Sequence, residues 1–225
     1  MKGKVEQDRF IWVNNAIKAD LRWALDKVEN STGVHLLNSL AWKISDATHV
    51  IYCDACLTGL GFWFPKLNLG FYADTPPDPD FLSLVDDDSD EPLEASLIFF
   101  FESLCVLSAL RDAALRSDLG SRFAIFTDNS NTVSIFSSLR CRPPYNPILR
   151  EAVNIFTDGD HDLRVLHIAG ADNGIADALS RKDFNRAISL NSNLNILPFE
   201  PYSRQKVNKL CVLQPPRDAL GAVEN

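Results

Sequence analysis

Four acidic residues lie where an anionic cluster could be built. Two are associated with hydrophobic, strand-like runs: Asp54 in VIYCDACLTGLGFW and Asp128 in FAIFTDNSNTV. Two lie on helix-like segments: Glu102 in FFFESLCVLSAL and Asp177 in HIAGADNGIADALSR. Four carboxylates gathered at one edge of a sheet repel one another unless they hold hard divalent cations. The pattern therefore predicts a site at which two metal ions support phosphoryl transfer.

Each of these four residues also has an ordinary structural interpretation. Asp54 could cap a turn after its strand, and Asp128 could be the N-cap of the helix that follows. Glu102, at the start of a helix, could interact favourably with the helix dipole. Asp177 could be a solvated residue on an exposed helix face. The sequence leaves these alternatives open.

The net charge of −8 and the pI of about 5.0 weigh against a free-standing nucleic-acid binder, because such proteins are usually basic. The charge is concentrated in residues 74–91, which contain eight acids and no Lys or Arg. The rest of the chain has 22 acidic and 22 basic residues. The Pro- and Asp-rich composition predicts a mobile acidic insertion over residues 74–92.

Cysteine usage and hydropathy bear on the compartment. Cys53 and Cys56 form a CxxC pair, but no second pair or nearby His completes a zinc set, which favours buried, reduced thiols over a zinc site. No apolar run approaches the roughly 20 residues needed to span a bilayer, and MKGKVEQDRF lacks the apolar segment of a signal peptide. We therefore expect an intracellular protein, cytoplasmic or nuclear.

The hydrophobic periodicity predicts an α/β protein. Three early strands, an antiparallel meander, precede strands separated by helices, which favours a mixed sheet with helices on its faces. The predicted strands are 47–54, 59–64, 69–72, 122–128 and 162–168. The predicted helices are 5–29, 102–117, 130–140, 147–157 and 173–181. A connector or edge strand is predicted at 35–42, and a linker from residue 184 onward.

Three segments resemble the ribonuclease H domain of retroelement reverse transcriptases: DACLTGLG, TDNSNTV and HIAGADNGIADALSR. The last is similar to the family pattern H-x-x-G-x-x-N-x-x-A-D-x-L-S-R. With FESLCVLSAL as the helix that carries the glutamate, the match spans residues 47–182. Residues 1–46 look like the helical tether between polymerase and ribonuclease H, and residues 183–225 look like a C-terminal tail or linker. A YxDD-type polymerase signature is not found in the sequence.

The resemblance implies a ribonuclease H-like fold with a mixed five-stranded sheet flanked by helices. It also implies two Mg²⁺ ions, with Mn²⁺ as a substitute, and cleavage of the RNA strand of an RNA–DNA hybrid. In this interpretation Asp54 bridges both ions, Glu102 and Asp128 bind one, and Asp177 binds the other. The expected partners are the hybrid and a reverse transcriptase polymerase domain in the parent polyprotein.

Candidate substrate contacts follow from the same interpretation. Gly59 and Gly61 would let the backbone of the hybrid approach the sheet. Asn129 and Asn173 are further candidates, although Asn173 could instead be a helix cap or turn residue. Ribose hydroxyls read across a wide minor groove would select RNA over DNA. The chain departs from cellular and retroviral ribonucleases H in having Ala171 where they carry a histidine.

Three functions are compatible with these motifs. The first is an active, Mg²⁺-dependent ribonuclease H. The second is a catalytically inactive scaffold or interaction module derived from a retroelement, in which the acids persist by inheritance. The third is another two-metal nuclease on the same fold, which the ADALSR context disfavours.

Overall fold

The structure, a computed structural model, describes residues 13–30, 42–76 and 93–202. The predicted acidic insertion lies outside these residues, apart from positions 74–76. Nearly all of the predicted connector at 35–42 and the tail after residue 202 also lie outside them.

A mixed sheet of six strands forms the centre of the described part of the chain. The strands are β1 (His49–Ala55), β2 (Gly59–Phe64), β3 (Leu69–Asp74), β4 (Arg122–Thr127), β5 (Asp162–His167) and β6 (Asn195–Pro198). Their spatial order is β5-β4-β1-β2-β3-β6. The first three strands form an antiparallel meander, β4 and β5 continue the sheet in parallel from β1, and β6 is parallel to β3. The predicted α/β class is confirmed, with six strands instead of five.

Six α-helices accompany this sheet in the described residues. They are α1 (Asn15–Asn30), α2 (Leu93–Leu115), α3 (Ser130–Ser138), α4 (Asn146–Asp158), α5 (Gly174–Ser180) and α6 (Phe184–Leu190). The boundaries of the five predicted strands and of α3, α4 and α5 agree with the prediction to within two residues. The starts of α1 and α2 do not, since residues 13 and 14 are not helical and α2 begins well before residue 102.

The main core lies between α2 and one face of the sheet. Leu104, Val106, Leu107 and Leu110 of α2 are almost fully buried, and Phe62 belongs to the same core. Because the helix is enclosed on several sides, it is apolar nearly all round. It is the one helix in the described residues that is long and apolar enough to span a membrane. Its most apolar stretch is 67% buried inside the protein. The expectation that no apolar run approaches this length is therefore wrong, although the burial is that of a core helix.

The early start of α2 changes the position of Glu102. The prediction began the helix at about residue 102, after the apolar run LIFFF. In the structure this run is helical, and Phe100 and Phe101 are buried in the core. Consecutive buried aromatic residues have no period that separates helix from strand. Glu102 is therefore in the interior of α2, which removes the helix-dipole interpretation of this residue.

The predicted linker after residue 183 is wrong for residues 184–198. These residues form α6 and β6, and β6 extends the sheet through pairs from Leu69↔Asn195 to Tyr72↔Pro198. Ala187 and Leu194 are buried against Leu179 in a second, smaller core. A four-residue edge strand with exposed positions and a proline does not need the alternating pattern of a central strand. Its Asn-, Ser- and Pro-rich composition therefore resembled a linker.

Candidate active site

Two neighbouring parallel strands bring two of the predicted acids together. β1 and β4 pair with Tyr52 level with Phe126, and extending this register by two residues places Asp54 beside Asp128. Asp54 is the penultimate residue of β1 and is 6% exposed, while Asp128 directly follows β4 and is more exposed. Gly170 lies opposite Asp128, and a Cβ at this glycine would be 2.9 Å from Asp128 Oδ2.

Helix α2 delivers the third acid, Glu102, to the ends of the same two strands. Its side chain is buried, with 3% of the residue exposed. Glu102 Oε1 accepts a hydrogen bond from the backbone N–H of Ala55 at 3.0 Å. Oε2 accepts one from the hydroxyl of Thr127 at 2.9 Å. The carboxylate is therefore fixed between β1 and β4 by neutral donors.

Asp54, Glu102 and Asp128 form one group, which we call the carboxylate triad. One ligand oxygen of each residue lies within 4.8 Å of those of the other two. Such a set of hard oxygen donors suits a divalent cation of the magnesium type. The triad thus has the composition and spacing of a cation site.

Electrostatics support this interpretation of the triad. Burial raises the pKa of Glu102 to about 8, and the negative charge of Asp54 adds to the effect. Burial also raises the pKa of Asp54 to about 6; the hydrogen bond from Ser180 opposes this shift and Asp128 adds to it. Both shifts show that negative charge at this site is unfavourable without a counter-ion. A divalent cation would remove that penalty, so the residues present fit a metal ion.

The fourth predicted ligand, Asp177, is not part of the triad. It lies on α5 and lines the same cleft, but both of its carboxylate oxygens bind arginines. Oδ1 accepts from Arg181 Nε at 2.7 Å, and Oδ2 accepts from Arg186 Nη1. Burial acts to raise the pKa of Asp177, but these two hydrogen bonds hold it below its ordinary value. Its role as a metal ligand remains a prediction.

The structure corrects the role predicted for Gly59 and Gly61. A Cβ on Gly59 would lie 2.1 Å from the carbonyl oxygen of Ser180, and one on Gly61 would lie 2.4 Å from the Ser180 nitrogen. These glycines therefore face α5, whose backbone packs directly on β2. The absence of a side chain admits this helix to the sheet, and the space that was predicted to admit a nucleic-acid backbone is filled.

The two asparagines have structural roles. Asn129 Oδ1 accepts from the N–H of Thr132 at 3.0 Å and caps α3, so the N-cap alternative for Asp128 is removed. Asn173 is 2% exposed and donates from Nδ2 to the carbonyl oxygen of Cys53 at 2.8 Å. Because Asn173 is buried against β1, its prediction as a substrate contact is wrong. Asn129 is half-buried beside the cleft, and contact with a substrate remains a prediction for it.

Two hydroxyl groups that the sequence analysis did not select support the triad. Ser180 donates from Oγ to Asp54 Oδ2, and Thr127 donates to Glu102. Both are buried. The sequence positions of both residues could have indicated this role, because Thr127 directly precedes Asp128 and Ser180 lies in the ADALSR motif. Short polar residues at such places, however, usually cap helices or pack in the interior.

The triad opens into a solvent-accessible cleft. Asp177, Arg181 and Ile98 line it together with the triad, residues 55–58 and Asn129. The cleft therefore combines anionic oxygen ligands with a guanidinium group, an arrangement that could hold a cation beside a phosphate.

The raised pKa of Glu102 predicts how stability depends on pH when no metal is bound. A carboxylic acid with a pKa of about 8 in the folded protein and about 4.3 in the unfolded chain binds more protons when folded. The stabilisation that this proton binding adds to the free energy of unfolding is complete below pH ~4 and is lost as the pH rises toward 8. In EDTA we expect Tm to fall between pH 6.5 and 8.5. Glu102→Gln should flatten this fall, and saturating Mg²⁺ should reverse it.

Two histidines change the stability with pH in the opposite direction, but at lower pH than this window of 6.5 to 8.5. Burial lowers the pKa of His49 and of His161, so their effects fall below pH ~6.5. Thermal unfolding followed by circular dichroism measures the slope. An equal slope in the parent and in Glu102→Gln would show that Glu102 is not the group responsible.

The similarity of this chain to known proteins is found at the level of structure. No family model matches this chain, and no curated protein matches it. One solved structure similar to the chain is that of LC11-RNase H1 in complex with an RNA/DNA hybrid, at 17% sequence identity and a TM-score of 0.45. The alignment covers 63% of this chain and 99% of that one. The fold class follows from the observed strand order, and the candidate site follows from its own geometry.

Proposed function

We propose that this chain hydrolyses the RNA strand of RNA–DNA hybrids at the carboxylate triad, with divalent cations. The observation that carries the proposal is the convergence of Asp54, Glu102 and Asp128 within 4.8 Å in an open cleft. In the proposed reaction, water attacks the phosphorus atom and the bond to the 3′ oxygen breaks. The products are a 5′-phosphate and a 3′-hydroxyl, and no nucleophile from the protein is needed.

The protein's part in this reaction is to hold the carboxylates in place. The N–H of Ala55 and the hydroxyl of Thr127 orient Glu102, and Ser180 orients Asp54. Cations bound to the triad would lower the pKa of the attacking water and neutralise the charge on the leaving oxygen. Because supporting donors already fix two of the three carboxylates, little rearrangement would be needed when a cation binds.

The finer parts of the proposal draw support from the sequence motifs. TDNSNTV and HIAGADNGIADALSR resemble segments of retroelement ribonucleases H, which favours a hybrid substrate and a parent reverse transcriptase with a polymerase domain. The same resemblance favours two Mg²⁺ ions, with Asp177 as a ligand of the second.

A labelled RNA–DNA hybrid tests the proposal directly. The full chain would be incubated with it in Mg²⁺ or Mn²⁺, beside duplex DNA and duplex RNA of the same sequence. We expect cuts in the RNA strand of the hybrid only, because selection depends on the ribose hydroxyl and on the hybrid geometry. Comparable cutting of duplex DNA would favour a different two-metal nuclease, and no cutting with either ion would contradict the proposal.

An inactive scaffold or interaction module is the second candidate, and one observation favours it. Both oxygens of Asp177 are occupied by Arg181 and Arg186, so the predicted four-ligand set is incomplete in this conformation. The cleavage assay separates the two candidates, because a scaffold would not cut the hybrid whether or not it binds the hybrid.

A further inference from the structure

The donors around Asp177 differ in charge from those around the triad. Glu102 and Asp54 accept hydrogen bonds from neutral groups, namely a backbone N–H and two hydroxyls. Asp177 accepts from two guanidinium groups, one on each oxygen. Asp54 and Glu102 therefore have neutral hydrogen-bond donors, whereas both oxygens of Asp177 are paired with positively charged groups of the protein.

The second of these arginines is fixed in position by the helix that carries it. Arg186 lies in the first turn of α6, and its backbone N–H donates to Asp183 Oδ1 at 3.1 Å, which caps the helix. Helix α6 packs on α5 through the small core around Ala187 and Leu179. The guanidinium of Arg186 is consequently held near Asp177 by the fold and does not reach it from a free loop.

Asp177 is the more buried member of each of its two ion pairs. The Asp177 side chain is 23% exposed, against 46% for Arg186. An ion pair with one partly buried member is screened less than an exposed pair. A divalent cation that coordinates Asp177 would lie close to two positive charges, because each carboxylate oxygen already has a guanidinium partner, and like charges at short range repel.

We propose that Arg181 and Arg186 act as internal counter-ions that compete with a second divalent cation for Asp177. The first cation binds at the triad, and the arginines set the affinity for the second. This inference depends on the proposed function for the first cation site, and it assigns the control of metal occupancy to two positively charged residues outside the triad.

Binding of Mn²⁺ to the full chain without nucleic acid tests the inference. The number of bound ions and their affinities can be followed by the electron paramagnetic resonance of free Mn²⁺. We expect the parent to bind one ion tightly and a second weakly, and Asp54→Asn to lose the tight one. Arg186→Gln should tighten the second ion by roughly threefold to fivefold, as expected for loss of one competing ion pair. Arg181→Gln provides a second variant with the same expected direction.

Lys182→Gln is the matched control, because it removes the same charge from the residue next to Arg181. Lys182 pairs with Asp74 and does not contact Asp177. We expect Lys182→Gln to leave the affinities for both Mn²⁺ ions unchanged. This result would separate the effect of the arginines paired with Asp177 from a general change in the charge of the protein. Far-UV circular dichroism confirms that each variant is folded.

The outcomes distinguish the inference from the proposed function. If the parent binds one ion through Asp54 and both arginine variants behave like Lys182→Gln, the inference is overturned and the triad site stands. If the parent and all variants bind no Mn²⁺, the triad site itself is contradicted, and the inference fails with it.

Discussion

Replacing Asp128 by Asn is expected to lower the rate of hybrid cleavage by at least about a hundredfold while the protein remains folded. The amide keeps the size of the side chain but loses the charge that would hold a cation. Asp128 is the most exposed residue of the triad, so the exchange adds no buried charge and opens no cavity. Single-turnover cleavage of a labelled hybrid in Mg²⁺ measures the effect.

Asp158→Asn is the control for this experiment. Asp158 is a surface carboxylate at the end of α4 that pairs with Lys27, and its side chain is 71% exposed. The same chemical exchange there should leave the cleavage rate within about twofold of the parent, as is usual for surface substitutions. A fully active, folded Asp128→Asn variant would contradict the assignment of the triad as the catalytic site.

Replacing Gly61 by Ala is expected to destabilise the fold by roughly 2–3 kcal/mol, the upper part of the range found for overpacked sites. The new Cβ would lie 2.4 Å from the backbone nitrogen of Ser180, 2.7 Å from Leu179 Cβ and 2.8 Å from the carbonyl oxygen of Ala176. Two of these atoms are backbone atoms of α5, so the clash cannot be relieved by a rotamer change. Urea denaturation of the parent and the variant measures the loss.

Gly70→Ala is the matched control for this clash. Its Cβ would lie 3.1 Å and 3.4 Å from the two terminal methyl groups of Leu179, and a side-chain end can move. We expect the cost at Gly70 to be about 1 kcal/mol or less. A loss at Gly61 as small as the one expected at Gly70 would show that α5 shifts freely on the sheet, and would contradict the close packing that places Ser180 beside Asp54.

The sheet could be predicted from the sequence because its strands carry local signals. β1, β4 and β5 are short apolar runs bounded by polar or turn residues, and the meander is marked by closely spaced turns. The parallel relation of β1 and β4 follows from the helical segment between them. This relation is sufficient to expect Asp54 near Asp128, and the structure places them together in the triad.

The start of α2 and the last strand could not be predicted, because tertiary contacts determine them. The run LIFFF is compatible with either a strand or a buried helix, and only its position against the sheet decides for the helix. β6 is polar and four residues long, and it exists because the edge of β3 offers backbone hydrogen bonds. Neither contact has a local signature in the sequence.

The candidate site was incomplete in the sequence for a similar reason. The spacing in ADALSR suggests that Asp177 and Arg181 lie one turn apart on a helix, where an ion pair is common. The contribution of Arg186 depends on α6, which the prediction had treated as linker. The position of Arg186 beside Asp177 therefore depends on the packing of α6 against α5, which the sequence did not predict.

The distance along the chain between Asp54 and Ser180 has a consequence for biosynthesis. Ser180, whose hydroxyl binds Asp54, is synthesised 126 residues after it, and β6, which pairs with the outer edge of β3, follows later still. During translation β1, β2, β3 and α2 are therefore complete before α5 and β6 are made. Helix α5 covers the other face of the sheet, and β6 completes its edge. Such long-range contacts make folding slow relative to local structure formation and leave apolar surface exposed on the nascent chain. The hydrogen bond that orients Asp54 consequently cannot form until residue 180 has been synthesised.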